Sequence, residues 1–547
     1  MPVEAGLAGQ PRVIVPGPDV SRRRAQAWRR VLSPRVISHP PFIAGLLAAV
    51  GAVTWIVVFP RVGTDLSAAV ARSAWASDYP ASGYLFSWYG GFHPAGYSLL
   101  APYVLGFVGV HLAMAMAVVI SAMLLASLLT RHDVTRPRAA AAWIAVALWT
   151  ELSAGRTAFT LGLAAGLGCV AMVDTRLWRP HRVTTSRIGV TTTLTAAGAL
   201  ALLCCLLSPV AAVFLLVVAV ALAVGRHFAP AIVIAVAASL PLGLMALYSD
   251  GGAQPILAQN WVPPIVAAAA VLLLVPRRWR LVRAGAVWYG VGVLVAAAIP
   301  SLIGSNVARL GELLAGPILV GVGSSPRRWL LALALAGAAI WQVAQPIADI
   351  AQGNAPLHDP QTVALVRELR ILHADTARVE AVPQYGHWEA QELASAAPLA
   401  RGWERQLDVE RNPLFYGGIL TPVAYYAWLR SYAVRYVAIS TARPDPAAVA
   451  EAATVRAGQP WLVLIWHNAS WRLYQVRGST PLASAPATVV SSTPAQITLR
   501  MSRAGTTVIK VLWSPLLRAD GAVVSKAGPW TRLTARQAAT YELQGRY

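Results

Sequence analysis

Long apolar stretches, separated by short polar segments, dominate the chain from residue 41 to about residue 348. Each is close to the length of a helix that crosses a bilayer, and few charged residues interrupt them. We therefore predict an α-helical polytopic membrane protein with about eleven spans. The predicted spans lie near residues 41–60, 111–129, 139–152, 156–174, 188–207, 209–225, 229–248, 262–276, 284–303, 306–322 and 328–347.

The pattern changes after residue 348, where polar residues become frequent. Within residues 349–475, "PQTVALVRELRILHAD" has apolar residues at helical spacing, whereas "RYVAIS" and "WLVLIW" are typical of strands. Within residues 476–547, alternating runs such as "QITLRM" and "TTVIKVLW" lie between Gly, Ser and Pro. We predict an α/β domain over residues 349–475 and a β-rich, sandwich-like domain over residues 476–547.

The positive charges are concentrated in short clusters between the apolar stretches. The chain has 45 Lys and Arg against 23 Asp and Glu, a net charge of +22. This distribution is typical of the cytoplasmic loops of membrane proteins and argues against nucleic acid as a partner. It predicts a plasma-membrane protein with a cytoplasmic basic tail (residues 1–40), an external loop (61–110) and an extracytoplasmic C-terminal region. The clusters assigned to the cytoplasmic side are Arg131/Arg136/Arg138, Arg176/Arg179/Arg182/Arg187, Arg226, Arg277/Arg278/Arg280/Arg283 and Arg327/Arg328.

The external loop begins with a carboxylate close to the predicted membrane surface. Asp65 opens "DLSAAVARSAWA", whose apolar spacing predicts a helix lying along the interface. Two interpretations stay open, since Asp65 either caps that helix or does chemistry at the depth of the lipid headgroups. Asp78 is a second carboxylate of the loop, for which a solvated turn before Tyr79 is the favoured interpretation.

Three successive elements resemble the GT-C glycosyltransferases: "TDLSAAVARSAWASDYP", the aromatic and proline-bearing "WYGGFHPAGYSLLAPYVLGFVG", and the span "HLAMAMAVVISAMLLASLL". Their order is similar to that in lipid-linked arabinose and mannose transferases, and "LSAGRTAFTLGLAAGLG" is similar to a turn of actinobacterial-type members. The likeness implies a GT-C-like fold. It also implies transfer of a sugar from a polyprenyl-phosphate donor to a cell-envelope glycan or lipid acceptor at the outer face of the plasma membrane.

The resemblance implies roles for residues of the external loop. Asp65 is expected to be the catalytic base, which takes the proton of the acceptor hydroxyl. His93 stands where some members have a lysine suited to phosphate, with an interfacial histidine bonded to backbone as an equal alternative. Trp88 and Tyr89 belong to the aromatic element, which is expected to shape the cleft and contact substrate.

Charged residues within or beside the predicted spans form a second group of candidates. Arg309 and Glu312 lie three residues apart, so they share a helix face near the outer end of a span. We expect Arg309 to meet the carrier phosphate and Glu312 to orient it, and a structural ion pair that locks two spans together is the alternative. Glu151 and Arg156 flank an external turn, where they either line the same cleft or form a local ion pair.

The external region combines aromatic and charged residues in a way that fits two roles. Such surfaces suit sugar stacking, and they equally suit a domain packed onto a membrane or onto its own spans. The residues concerned are His387, Trp388, Glu389, Trp403, Glu404 and Arg405.

Two alternatives to a transferase stay open: a multi-span transporter or flippase, and a non-catalytic envelope assembly protein on a GT-C-like scaffold. The sequence contains no P-loop, dinucleotide fingerprint or zinc motif, which argues against a soluble nucleotide-sugar donor. It indicates no certain cofactor and leaves a divalent metal ion open. The expected partners are the lipid-linked sugar donor, its acceptor and membrane lipid.

Overall fold

The computed structural model describes residues 38–546, except residue 133 and residues 175–186, 248–249, 254–255, 324–325 and 354–358. The predicted basic tail up to residue 37 lies outside the described residues. The same holds for Arg176, Arg179 and Arg182 of the second basic cluster.

In the described part of the chain, eleven helices occupy the places of the predicted spans. By length and composition, six helices among the described residues can cross a membrane: Pro40–Val58, Val110–Thr130, Gly189–Leu207, Phe228–Ala246, Arg280–Ala298 and Arg328–Ala351. The chain is therefore a multi-pass membrane protein, while the count of eleven crossings stays a prediction. In chain order the helices up to residue 353 are α1 (Pro40–Val58), α2 (Leu66–Asp78), α3 (Ala101–Val108), α4 (Val110–Thr130), α5 (Pro137–Ala154), α6 (Thr157–Met172), α7 (Arg187–Leu207), α8 (Pro209–Val224), α9 (Phe228–Leu247), α10 (Ala258–Leu274), α11 (Arg280–Ala298), α12 (Arg309–Val322) and α13 (Arg328–Gly353).

Small residues allow the helices of the bundle to pack closely. α1 packs against α4 and α5, and its Ala44, Ala48 and Ala52 are buried. Val57 on the same helix is 72% exposed, as expected for a side chain that faces lipid. Lipid tails are as apolar as these helices, so their association depends on close van der Waals contact, which small side chains permit.

The aromatic element after α2 joins the bundle to the C-terminal region. Trp88, Tyr89 and Phe92 are buried, in one core with residues of the C-terminal region such as Leu365 and Val379. Tyr89 has a φ of 58° and the next two glycines have φ of 78° and 100°, so the chain turns sharply here. The element is therefore held within protein and does not lie along a membrane surface.

An α/β region follows α13. Its strands are β1 (Arg378–Ala381), β2 (Val434–Ser440), β3 (Leu462–His467) and β4 (Trp471–Val476), and its helices are α14 (Pro360–Ile371), α15 (Trp388–Glu392), α16 (Arg405–Arg411), α17 (Pro422–Ser431) and α18 (Val449–Arg456). The sheet order is β1-β2-β4-β3, with β1 parallel to β2 and the other neighbours antiparallel. β2 is buried along most of its length, which explains its near-continuous apolar sequence.

Two antiparallel sheets complete the chain. Their strands are β5 (Ala487–Ser492), β6 (Gln496–Met501), β7 (Gly505–Leu512), β8 (Leu517–Arg518), β9 (Ala522–Ala527), β10 (Trp530–Ala535) and β11 (Ala539–Gly545). The sheet orders are β7-β10-β9 and β5-β6-β11-β8. Ile497 and Leu499 of one sheet share a core with Ile509 and Leu533 of the other, as in a sandwich. The predicted fold class, a helical membrane bundle with α/β and β-sandwich-like regions, is confirmed.

Charged contacts attach the α/β region to the first external loop. Arg61 pairs with Glu392 at 2.6 Å and lies over the ring of Trp388, 4.0 Å from its centroid. Arg72 of α2 pairs with Glu404 at 2.5 Å. These contacts hold the α/β region against α2 and the segment before it. A cavity lies between α2, the bundle and the α/β region.

Candidate active site

A cavity of about 400 Å³ lies between the segment 61–110, the adjacent ends of the bundle helices and the segment around the start of α16. Its wall combines the start of α2, the turn between α5 and α6, and the start of α12. The charged, amide and aromatic residues that line it include Asp65, Arg72, Tyr97, Arg156, Phe159, Arg309, Glu312, Gln345, Trp403, Glu404 and Arg405.

Asp65 is placed by a close approach between the external loop and the end of α5. Its backbone N–H donates to the carbonyl of Ala154 at 3.1 Å. Gly63 (φ 131°) and Gly155 (φ 71°) allow this approach, since a Cβ on Gly155 would lie 2.6 Å from the nitrogen of Leu66. The start of α2 is thereby fixed against the bundle at the cavity wall.

The carboxylate of Asp65 does not cap its helix. Asp65 occupies the position before α2, yet its side chain makes no capping hydrogen bond. Its Oδ2 instead accepts from Nη2 of Arg309 at 3.5 Å, and 28% of its side chain remains exposed. The interpretation that Asp65 serves only as a helix cap is therefore wrong.

Arg309 and Glu312 pair across the cavity with residues of other elements, so the expected contact between the two is corrected. The Arg309 guanidinium meets Asp65 and lies over the ring of Phe159, 5.2 Å from its centroid. Glu312 Oε2 accepts from Nη1 of Arg156 at 3.4 Å. The physical reason is proximity, because each side chain reaches an opposite charge on a facing element.

Arg156 joins Glu312, which lines the cavity, to Glu151, which lies behind the wall. The same Nη1 that meets Glu312 also donates to Glu151 Oε1 at 3.2 Å. Glu151 is buried behind the wall, whereas Arg156 lines the cavity. The two interpretations of Glu151 and Arg156 thus both apply in part, since they form a local ion pair and only the arginine faces the cleft.

The upper wall holds residues that the sequence interpretation did not connect with Asp65. Arg72 lies seven residues after Asp65, two turns along the same helix face, and stacks over Tyr97 at 4.2 Å. Trp403 stacks on the imidazole of His387 with ring centroids 3.4 Å apart. The helical spacing of Asp65 and Arg72 was the available signal in the sequence.

Arg405 and His387 are both anchored by Asp445. Arg405 donates to the two carboxylate oxygens of Asp445 at 3.1 and 2.6 Å, and His387 Nε2 lies 3.3 Å from Oδ2. Burial alone would raise the pKa of Asp445, but the hydrogen bonds from His387 and Arg405 lower it. Burial likewise opposes protonation of His387, yet Asp445 and Glu389 raise its pKa. This ion network fixes Trp403 and Arg405 at the cavity.

Glu404 is the carboxylate of the upper wall. Burial raises its pKa, and the neighbouring Arg72 partly offsets that effect.

Asp349 was not anticipated as a site residue, because the last predicted span ended at residue 347. It lies on α13, is buried, and accepts from Nε2 of Gln345 at 2.8 Å. Gln345 lines the cavity, so Asp349 lies directly behind its wall. A longer predicted span would have included Asp349, and an ionisable residue at the end of an apolar helix is a signal of function.

Besides Glu151, four site residues proposed from the sequence in the segment 61–110 do not line the cavity. Trp88 and Tyr89 are buried in the core of the external region, and Asp78 is exposed at the end of α2. His93 donates its backbone N–H to Asp250, and its Nε2 lies 2.8 Å from Oγ of Ser514. In this structure His93 therefore connects three segments of protein.

The charges at the wall suit an anion together with a carboxylate base. Among the residues that line the cavity, four arginines (72, 156, 309 and 405) face three carboxylates (65, 312 and 404), a formal excess of one positive charge. Within the described ranges, no group of three or more His, Cys, Asp or Glu gathers that could hold a metal ion. The cavity therefore offers arginine donors and a partly exposed carboxylate.

Fold and site together define a multi-pass membrane protein with a charged cavity between its helical bundle and its α/β region. No family model and no curated protein matches the sequence. Among solved structures, the fold is similar to the oligosaccharyltransferase of Archaeoglobus fulgidus in the apo form, with 12% identity, a TM-score of 0.45 and coverage of 73% of this chain and 69% of that chain.

The fold is also similar to ArnT from Cupriavidus metallidurans. In the apo state the identity is 13%, the TM-score 0.44 and the coverage 83% of this chain and 98% of that chain. With ArnT bound to undecaprenyl phosphate the identity is 13%, the TM-score 0.42 and the coverage 80% and 98%. These values mark a distant likeness, so the chemistry of the site rests on its own residues.

Proposed function

We propose that the protein is a membrane glycosyltransferase that moves a sugar from a polyprenyl-phosphate donor to a cell-envelope glycan or lipid acceptor. The observation that carries the proposal is the placement of Asp65. Its carboxylate is free of the capping role that its position suggests, lies in the cavity wall and faces Arg309. A carboxylate base beside an arginine is what this reaction requires.

The proposed reaction uses Asp65 for the acceptor and Arg309 for the donor phosphate. Asp65 takes the proton of the acceptor hydroxyl while the acceptor oxygen forms a bond to the anomeric carbon. The bond between that carbon and the phosphate oxygen breaks, and the lipid phosphate leaves with the electron pair. Arg309 stabilises the charge of the leaving phosphate, since guanidinium groups bind phosphate through charge-assisted hydrogen bonds.

The loose geometry between Asp65 and Arg309 suits an exchange of partners. At 3.5 Å their contact is at the limit of a hydrogen bond, and Nε of Arg309 has no hydrogen-bond partner in the part of the chain that the structure describes. A donor phosphate can therefore take over the guanidinium and leave Asp65 free to act as base. Arg156, held by Glu151 and Glu312, supplies a second positive charge at the same wall.

The aromatic residues of the upper wall are the proposed sugar contacts. Trp403 and Tyr97 line the cavity, and an aromatic face suits packing against a sugar ring. We place the cavity at the outer face of a plasma membrane, with the N-terminus cytoplasmic. The support for this orientation is charge, because basic clusters such as those around Arg131 and Arg278 lie at the opposite helix ends.

The test is sugar transfer by the purified full chain with Asp65→Asn, using a panel of polyprenyl-phosphate sugars and envelope glycan acceptors. Loss of a general base typically costs about 10²- to 10⁴-fold in rate, and we expect a fall in that range. Asp78→Asn is the matched control, since it removes an exposed carboxylate from the same helix. It should keep the wild-type rate.

Thermal unfolding in detergent shows whether each variant is folded. Near wild-type transfer by a folded Asp65→Asn protein would refute the assigned base. Movement of polyprenyl-phosphate sugars across vesicle membranes without any sugar transfer would favour the flippase alternative over the transferase.

A further inference from the structure

A second cavity, of about 760 Å³, lies at the end of the bundle opposite the candidate active site. Its walls come from the ends of α4, α6 and α8 together with α10, α11 and α12. Aliphatic side chains such as Leu125, Val218, Val271 and Leu314 form most of its surface. This volume lies in the range of pockets that enclose a ligand.

The mouth of this cavity carries arginines that are available for a ligand. Arg278 and Arg280 are exposed at the wall, and neither forms an ion pair with any residue that the structure describes. Arg283 is occupied, because it donates to the carbonyls of Leu272 and Val275. The carboxylate at the mouth, Asp174, contacts Arg131 and His132. Positive charge is therefore in excess among the described residues at the mouth.

The body of the cavity is apolar and open. A Cβ added to Gly285 would meet no atom within 4 Å, so the space beside α11 is free. At the deep end, the hydroxyl of Tyr289 donates to the carbonyl of Val307 at 2.9 Å and accepts from the N–H of Gly311 at 3.0 Å. That hydroxyl is thus engaged, and the deep end suits hydrocarbon.

We propose that this cavity binds an anionic glycerophospholipid, with its phosphate headgroup at Arg278 and Arg280 and an acyl chain in the apolar body. The arginines complement an anionic headgroup, and basic pockets between membrane helices are suited to such lipids. A zwitterionic lipid also brings a phosphate, but its cationic group offsets the attraction to the two guanidinium groups. The polyprenyl carrier is disfavoured, because under the proposed function its phosphate lies at Arg309, at the other end of the bundle.

This lipid would pack behind the helix that carries the candidate site. α12 presents Arg309 and Glu312 to the first cavity and Leu310, Leu314 and Ile318 to the second. An acyl chain in the second cavity therefore fills the space behind this helix. The inference concerns a separate site, and only the preference over the polyprenyl carrier rests on the proposed function.

The test is lipid binding by the delipidated full-length protein in detergent, followed by native mass spectrometry. The probes are phosphatidylglycerol and phosphatidylcholine with identical acyl chains. Each basic residue near an anionic lipid contributes roughly a fivefold gain, so Arg278→Gln with Arg280→Gln should weaken phosphatidylglycerol binding about 25-fold. Arg277→Gln is the matched control, since this exposed neighbour does not line the cavity.

A second pair of variants tests the apolar body. Gly285→Leu fills the cavity and should abolish retention of the lipid. Gly292→Leu lies two turns further along α11, also in open space but away from the cavity, and should retain it. Equal binding of the two lipids, an equal loss in Arg277→Gln, or preferential binding of polyprenyl phosphate would each overturn the proposal. If Gly285→Leu does not fold, the arginine variants decide.

Discussion

Two charge clusters of similar composition differ in how tightly they are paired. The cavity cluster, Asp65, Arg309, Arg156, Glu312 and Glu151, has contacts of 3.2 to 3.5 Å, and its Asp65 side chain is 28% exposed. The buried cluster of the α/β region, Arg401, Asp408, Glu451 and Glu380, has arginine contacts of 2.8 Å to Asp408 and to Glu451. No side chain of the buried cluster is more than 5% exposed.

Protein neighbours satisfy the carboxylates of Asp408 and Glu451 in the buried cluster. Tyr416 donates to Asp408 at 2.6 Å, and Tyr425 donates to Glu451 at 2.8 Å. Burial and the adjacent Glu451 raise the pKa of Glu380 well above its usual range, which reduces the negative charge around Arg401. Such a cluster holds a structure together and leaves no group for a ligand.

The cavity cluster has charged groups that remain available to a ligand. Nε of Arg309, which lines the cavity, has no hydrogen-bond partner among the described residues. Its ion pairs are long, and one of its carboxylates reaches the open space. The difference teaches that charge composition alone does not separate a structural cluster from a site, whereas the contact distances and the exposure of the charges do.

The largest effect is expected from breaking the buried cluster. Arg401→Met removes the only described cation that pairs with Asp408, Glu451 and Glu380. Removing one partner of a buried ion pair costs about 3–5 kcal/mol, because the other charges stay buried without compensation. Thermal unfolding in detergent measures this loss. Arg430→Met, which removes an exposed arginine, should leave the midpoint unchanged. A midpoint for Arg401→Met equal to that of the wild type would show that this cluster is not structural.

A smaller effect, dependent on pH, is expected where the α/β region meets the cavity. The folded-state pKa of His387 is raised above 6.5, so its contribution to stability is present below pH 6.5 and is lost as pH rises through the folded value. His387→Gln should abolish this loss, which is measured as the unfolding midpoint from pH 6 to pH 9 in steps of about one unit. An equal decline in the variant would assign the effect to another group.

The smallest effect is expected from Glu312→Gln in the cavity cluster. Arg156 keeps its contact with Glu151 when Glu312 is neutralised, so no charge is stranded. We expect a change in the free energy of unfolding of about 1 kcal/mol or less. The same unfolding measurement checks it. A loss comparable to that of Arg401→Met would mean that the cavity cluster is scaffold, as the buried cluster is.

Much of the candidate site was predictable because ionisable residues next to apolar spans are rare. Asp65, Arg309, Arg156 and Glu312 were each selected in this way, and all four line one cavity. Their pairing was not predictable, because Arg309 and Asp65 are 244 residues apart in the chain. Local spacing instead suggested that Arg309 would meet Glu312, its neighbour on the helix.

The aromatic element is a second case in which the sequence did not determine the contacts of its residues. Trp88 and Tyr89 were expected at the cleft because of their chemistry and position after the first span. The structure buries both against the α/β region, where the indole N–H of Trp88 donates to the carbonyl of Ala390 at 2.9 Å. An amphipathic aromatic residue suits a membrane surface, a sugar or a protein core equally, so its own sequence context does not decide among them.

The sequence by itself determined the division of this protein into an apolar bundle, an α/β region and a β-sandwich-like region. Hydrophobic length and periodicity are properties of local segments, and they do not depend on contacts with distant parts of the chain. Only the tertiary structure decided which charges meet, which carboxylate stays exposed, and where arginines line a cavity. Those outcomes depend on contacts between segments that are distant in the chain, and on the burial that such contacts create.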